Sequence, residues 1–268
     1  MSQTRARREP MRAGTLEVHA GFSDVDRPAE RIASPSRLLY LGLFAVSAAT
    51  LLLELVLTRI FDVTLWSNLS YLIVSCAIFG FGLGGIVLML WPMAHIPTER
   101  LVARASLGFA ALCLALLPLL SWIPFDLKEL LEHPLVQLPL AGLLYLAVLA
   151  PFFASGLVVS TLLTRYAARV HRLYFWDLTG AGIGCFAIFF LPRLIGAERT
   201  LVVVAGLAAF AALLLGGRGM RGADLAAWGG LAALLIAGFF FAGDFELKSF
   251  ASKRGVILGP GERPRAAI

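Results

Sequence analysis

Charge is scarce in this chain. Only 15% of its 268 residues are Asp, Glu, Lys or Arg, whereas an average soluble domain carries about 25%. With 59% hydrophobic residues beside it, so little charge argues against a water-soluble fold. Cysteine is scarce too. Cys76, Cys113 and Cys185 each fall inside an apolar run and form no CxxC pair, so neither a disulfide framework nor a thiolate metal site is expected. The short alternating strands of a membrane barrel are missing. His19, His95, His133 and His171 are scattered, and no His, Cys, Asp or Glu spacing suits a metal ion. No G-x-S-x-G elbow offers a nucleophile. The net charge is +6, yet no basic stripe is interleaved with aromatics, so no nucleic-acid partner is expected.

Long apolar runs are what the chain does have. A spanning helix needs about 20 mostly apolar residues, and seven stretches come near that. They are 38–57, 69–91, 105–122, 138–163, 173–196, 201–215 and 225–242. The expected fold class is all-α, a polytopic transmembrane helical bundle of about seven spans, and the lipid bilayer is its first partner. Pro151 lies inside the fourth span, where a kink near Ala147–Pro151 is expected. Residues 37–244 form the transmembrane domain. Residues 1–36 are polar, mixed in charge and broken by Pro10, Pro28 and Pro35, and read as a disordered basic tail. That tail is too long for the start of a secretory signal, and the apolar run behind it continues past the weak Val46-Ser47-Ala48 site, so the first span stays uncleaved. Pro124–Pro134 is too polar to span. Residues 245–268 read as a polar tail or linker to a missing soluble domain.

Loop charge sets an expected orientation. With seven spans, one side receives 14 Lys and Arg residues and the other only 4, the C-terminal tail aside. Basic loops stay in the cytoplasm. The N-terminus is therefore expected inside, in a bacterial cytoplasmic (inner) membrane. The C-terminal tail, with Lys248, Lys253, Arg254, Arg263 and Arg265, breaks the pattern.

The stretch Leu173–Gly196 carries the most information. It holds one acid, Asp177, then Gly180, Gly182 and Gly184, and ends at Pro192 and Arg193. Gly80-Phe-Gly82-Leu-Gly84-Gly85 matches G-x-G-x-x-G in form. A dinucleotide site needs that pattern between a strand and a helix, and here it sits mid-span. No cofactor is implied. Gly80 with Gly84, and Gly180 with Gly184, instead make small faces for close helix packing. An intramembrane acid is a functional candidate by default. Glu54, with Arg59 after it, and Asp177, with Arg193 beyond it, are the polar candidates. Glu54 is expected to pair with Arg193 or Arg199, and Asp177 with Arg165, Arg169 or Arg172, locking the bundle. A substrate or proton path is the competing reading. Trp66, Tyr71, Trp91, Trp122, Tyr174 and Trp176 sit at span ends as an aromatic belt. A faint echo links Leu57-Thr58-Arg59 before the second span to Leu163-Thr164-Arg165 before the fifth, as in transporters built from repeats.

Glu54-Leu-Val-Leu-Thr-Arg59 resembles the E-x-x-x-T-R that ends the first span of membrane-bound spermidine synthase-like proteins. Pro151-Phe-Phe-Ala-Ser-Gly156 and Leu173-Tyr-Phe-Trp-Asp177-Leu-Thr-Gly-Ala-Gly182, with Leu191-Pro192 and Gly196, are similar to that family's later spans. The resemblance covers roughly residues 38–245. It implies a multi-span region followed by a soluble Rossmann-like domain. In related soluble enzymes that domain transfers an aminopropyl group from decarboxylated S-adenosylmethionine to a polyamine. This chain has no strand, glycine loop and helix for the nucleoside and no acidic general-base loop, so no catalytic residue carries over. The expected role is to anchor or regulate a synthase domain or subunit, or to handle a polyamine-like cation. The alternatives are a free-standing small-molecule transporter and a membrane assembly module.

Overall fold

A computed structural model describes residues 36–64, 70–91, 93, 95–122, 134–216 and 222–241. The expectations for the two tails and for Pro124–Pro134 fall almost wholly outside these residues. Among the described residues the chain is helical, with no strand. The helices are α1 (Arg37–Thr64), α2 (Ser70–Leu90), α3 (Thr98–Trp122), α4 (Pro134–Arg165), α5 (Val170–Ala187), α6 (Leu191–Ile195), α7 (Ala197–Gly216) and α8 (Gly222–Phe241). A single 3-10 turn, Ala167–Arg169, joins α4 to α5.

Five helices, α1, α2, α3, α4 and α7, are long and apolar enough to cross a bilayer. All but α2 run past the apolar stretches at their ends. α3, for example, starts at Thr98 rather than Ala105, taking Glu99 into its first turn. An acid there suits the positive end of the helix dipole. α4 passes through Pro139 and Pro151 as one helix. The other two expected spans fall short of that mark. The uninterrupted apolar part of α8 is Ala226–Phe240.

The fifth expected span needs correction. Leu173–Gly196 is not one helix. α5 stops at Ala187, and Phe189 and Phe190 form a turn by donating to the carbonyls of Phe186 and Ala187. α6 then starts with Pro192 in its first turn. Proline has no N–H, and its ring collides with the carbonyl four residues back; α4 absorbs that cost at Pro139 and Pro151, whereas here the chain turns and Pro192 takes a first-turn position, where no N–H is needed. Gly196 ends α6 at φ 89°, a left-handed conformation that favours glycine. The 18 residues of α5 rise only ~27 Å, against a hydrocarbon layer of about 30 Å.

Side-chain contacts fix the helix directions. Tyr40 stacks near Trp176 with ring centroids 6.4 Å apart, and further along α1 Phe44 meets Gly180 and Ala48 meets Gly184. Both chains advance together, so α1 and α5 are parallel. Gly80 meets Leu149 and Phe152, and Gly84 meets Gly156 and Leu157, so α2 and α4 are parallel as well. Gly42, early in α1, lies against Leu215, late in α7, so that pair is antiparallel. Arg104–Asp224 and Leu114–Gly238 make α3 parallel to α8. Arg165, the last residue of α4, bonds to Thr98, the first of α3, so those two oppose. Direction therefore alternates along α1, α2, α3, α4, α5, α7 and α8. Arg37, Arg100, Arg104, Arg165, Arg169 and Arg172 gather at one end, and Arg59, Arg193 and Arg199 at the other.

The packing has an internal symmetry. α2 lies on α4, and α5 lies on α1. α3 packs against α4, and α7 against α1. α3 and α7 pack on each other. Exchanging α1 with α4, α2 with α5 and α3 with α7 leaves this pattern unchanged. The Leu-Thr-Arg triplets lie in the last turns of α1 and α4, the helices that the exchange relates. The first three helices thus form an inverted counterpart of α4, α5 and α7. α8 stands outside the pair, against α7 and α3.

Between these helices lies an apolar core in which Phe61, Phe109 and Phe152 are fully buried. Ile78, Met89, Leu146, Phe186 and Phe240 project outward and are exposed. A collar of large apolar side chains on a helical bundle is a lipid-contacting surface.

A Cβ placed on Gly80 would lie 2.8 Å from the Leu149 carbonyl oxygen, and one on Gly84 2.5 Å from the Leu157 nitrogen. Cβ atoms on Gly180 and Gly184 would strike the carbonyl oxygens of Phe44 and Ala48. A Cβ on Gly82 or Gly182 would meet nothing within 4 Å. Gly84→Leu and Gly184→Leu are therefore expected to lower the detergent melting temperature, at a cost of about 1–3 kcal/mol or more each. Gly82→Ala and Gly182→Ala leave it unchanged or raise it. Tryptophan fluorescence during a thermal ramp reads both.

Candidate functional site

The α1–α5 seam holds the polar centre. Two glycines let the helices touch backbone to backbone, and this close approach brings Ser47 of α1 to Asp177 of α5. The Ser47 hydroxyl donates to the Asp177 carboxylate and also lies 3.0 Å from the Leu43 carbonyl oxygen. Ser47 is buried and Asp177 half-buried. Trp176, adjacent in sequence, packs on Tyr40 and edge-on against Phe44, closing the seam on the side of the helix starts.

The hydroxyl has one proton and faces two acceptors. A proton on Asp177 would satisfy all three groups, with Ser47 donating to Leu43 and the carboxyl donating to Ser47.

Glu54 lies seven residues beyond Ser47, two turns along the same face of α1. It is half-buried, and its backbone carbonyl accepts from the Thr58 hydroxyl at 2.8 Å. Arg59 is exposed, as is Arg193 on α6. Among the described residues, neither Glu54 nor Asp177 forms an ion pair with an arginine; the ion pair there is Arg104–Asp224, at 2.9 Å.

The expected acid–arginine pairs are not seen among the described residues; Asp177 has Ser47 instead, and several of the arginines are placed elsewhere. Arg165 is committed elsewhere, donating to the carbonyls of Met93 (2.6 Å) and Ile96 (2.8 Å) and to the Thr98 hydroxyl (3.0 Å). It ties the end of α4 to the start of α3. Beside it, burial first and then the Glu99 carboxylate push the Tyr166 phenol above its ordinary range, with Arg165 opposing. Arg169 and Arg172 are exposed. Arg199 sits over the Phe239 ring at 5.9 Å, a cation–π distance.

Comparison with protein-family models, with curated proteins and with solved structures finds no match to this chain.

The packing glycines and the acids are therefore read from geometry alone. Gly80 and Gly84 form one seam and Gly180 and Gly184 the other, and only the second contains an acid. Two polar partners, Ser47 and Asp224, escape a reading of the sequence, and a third, Arg165, is read with the wrong partner. Ser47 sits among Ala45, Ala48 and Ala49, and a lone hydroxyl in an alanine-rich face is the signal that could have found it. Asp224 falls just before the last apolar run and looks like loop. Arg165 looks like a loop cation, whereas its donors are used on backbone carbonyls. Among the described residues, no three His, Cys, Asp or Glu side chains gather as a metal site would need.

Ser47→Ala leaves the Asp177 carboxylate without its donor, at an expected cost of about 1–3 kcal/mol. Asp177→Asn keeps a hydrogen-bonding group and is expected to cost less than about 1 kcal/mol. The double variant should fall short of the sum, because the two side chains touch. Unfolding in mixed detergent measures all three.

Proposed function

We propose that this chain is the membrane module of a spermidine synthase-like protein. It crosses a bacterial inner membrane seven times, with its N-terminus in the cytoplasm, and anchors a soluble synthase domain or subunit there. One observation carries this reading. Segments that bear the resemblance, the end of α1 with Glu54, Thr58 and Arg59 and the stretch Trp176-Asp177-Leu-Thr-Gly180, are far apart in sequence. They lie on two helices that pack on each other, through a seam made by Phe44, Ser47 and Ala48 of α1 with Asp177, Gly180 and Gly184 of α5. Packing of the two helices that carry the resemblance is what a common architecture would require. The alternation of helix directions supports seven crossings, and the gathering of arginines at the end where α1 begins supports the orientation.

A second reading rests on a different observation. The inverted arrangement of α1–α3 and α4, α5 and α7 is the plan of many secondary transporters, whose sites lie where the repeats meet. Among the described residues Glu54 and Asp177 pair with no arginine, which leaves two acids to attract a polyamine-like cation.

The two readings separate in one pair of measurements. Deleting residues 37–244 from the chromosomal gene is expected to move aminopropyltransferase activity from the membrane fraction to the soluble fraction. An unchanged distribution defeats the anchor. Proteoliposomes holding this chain alone are expected to take up no more labelled spermidine than empty ones. Uptake that disappears in Glu54→Gln or Asp177→Asn would establish the transporter instead.

A further inference from the structure

A groove of about 590 Å³ opens between the first turns of α1 and α5, at the arginine-rich end of the bundle. Its size is within the range of ligand pockets. Arg37, His171 and Arg172 supply its polar lining, and Tyr40, Leu41, Phe175 and Trp176 the apolar part. None of the lining residues is an acid. Arg37, His171 and Arg172 are exposed, so the two guanidinium heads and the imidazole are free to reach a ligand.

Tyr40 is different. It is only 9% exposed, and its hydroxyl finds no hydrogen-bond partner among the described residues. A buried tyrosine hydroxyl ordinarily has a partner. Tyr40 is also one of the residues that line the cationic groove. Leu41 and Phe175 flank the opening and are themselves 42% and 63% exposed. They continue the groove onto the apolar collar.

We propose that this groove seats the headgroup of an anionic phospholipid. Arg37 and Arg172 hold the phosphate, His171 gives a further donor, and the Tyr40 hydroxyl completes the set. Leu41 and Phe175 guide the acyl chains away along the bundle. Basic pockets between membrane helices hold such headgroups, and the joining of a cationic floor to an apolar flank selects a lipid over a soluble anion. The inference rests on the reading of the helices as lying in a bilayer, not on the anchor or transport role.

The test uses the full chain in detergent micelles, titrated with phosphatidylglycerol or phosphatidylcholine and followed by native mass spectrometry. Phosphatidylglycerol is expected to bind preferentially. Arg37→Gln with Arg172→Gln should weaken it about 25-fold, roughly fivefold per arginine. Tyr40→Phe should weaken it without lowering the melting temperature in phosphatidylcholine. Arg169→Gln, at the same end but outside the groove, should bind as the parent does. Equal binding of the two lipids, or an equal loss in Arg169→Gln, overturns the proposal, as does full competition by glycerol phosphate. A chain that stays dispersed without detergent overturns the bilayer reading itself, so the two failures look different.

Discussion

In lipid, an apolar side chain gains little by exchanging one apolar neighbour for another, so helices must hold together by close contact. In this bundle that contact is made twice, where glycines let one helix backbone rest on another. At the α1–α5 seam the Cα positions of Gly180 and Gly184 face the carbonyls of Phe44 and Ala48. At the α2–α4 seam, Gly80 and Gly84 face Leu149, Phe153 and Gly156, and Gly156 in turn faces Phe81. A side chain at any of these points would drive the pair apart. Each seam therefore fixes both the spacing and the register of two helices distant in sequence. The meeting of Ser47 with Asp177 follows from that spacing, since neither side chain is long.

The helical nature of the chain was legible because apolar run length is a composition signal, and it survives without any knowledge of partners. The glycine spacing was legible too, since positions four apart share a face of any helix. What covers a face is not written next to it. Nothing beside Gly180 points to Phe44, and nothing beside Gly80 points to Phe152. The ends of helices were least readable. α5 looked continuous to Gly196 because Phe189, Phe190, Leu191 and Leu194 keep the stretch apolar through a turn. Hydropathy registers grease and ignores the missing amide of Pro192.

The polar groups follow the same division. That Asp177 and Glu54 lie within apolar surroundings could be read directly. Their partners could not, because counting arginines near the same end says nothing of where each guanidinium is spent. Arg165 illustrates this. Its charge suggests an ion pair, yet the carbonyls of Met93 and Ile96, between α2 and α3, take its donors. Backbone acceptors at a helix end compete with carboxylates for arginine, and only the folded chain decides between them.

The inverted halves have a consequence for the triplets in the last turns of α1 and α4. A unit of three helices finishes at the opposite end from where it starts, so two such units in tandem are necessarily upside down with respect to each other. Residues that match in the two copies then arrive in different surroundings. Arg59 stands exposed among few other cations, whereas Arg165, its counterpart, is drawn into a crowded basic end and used as a clasp. Likeness of sequence between the halves is thus bound to be poorest in the charged residues that tell one side of the molecule from the other, and to persist in the glycines and small residues that cannot tell up from down.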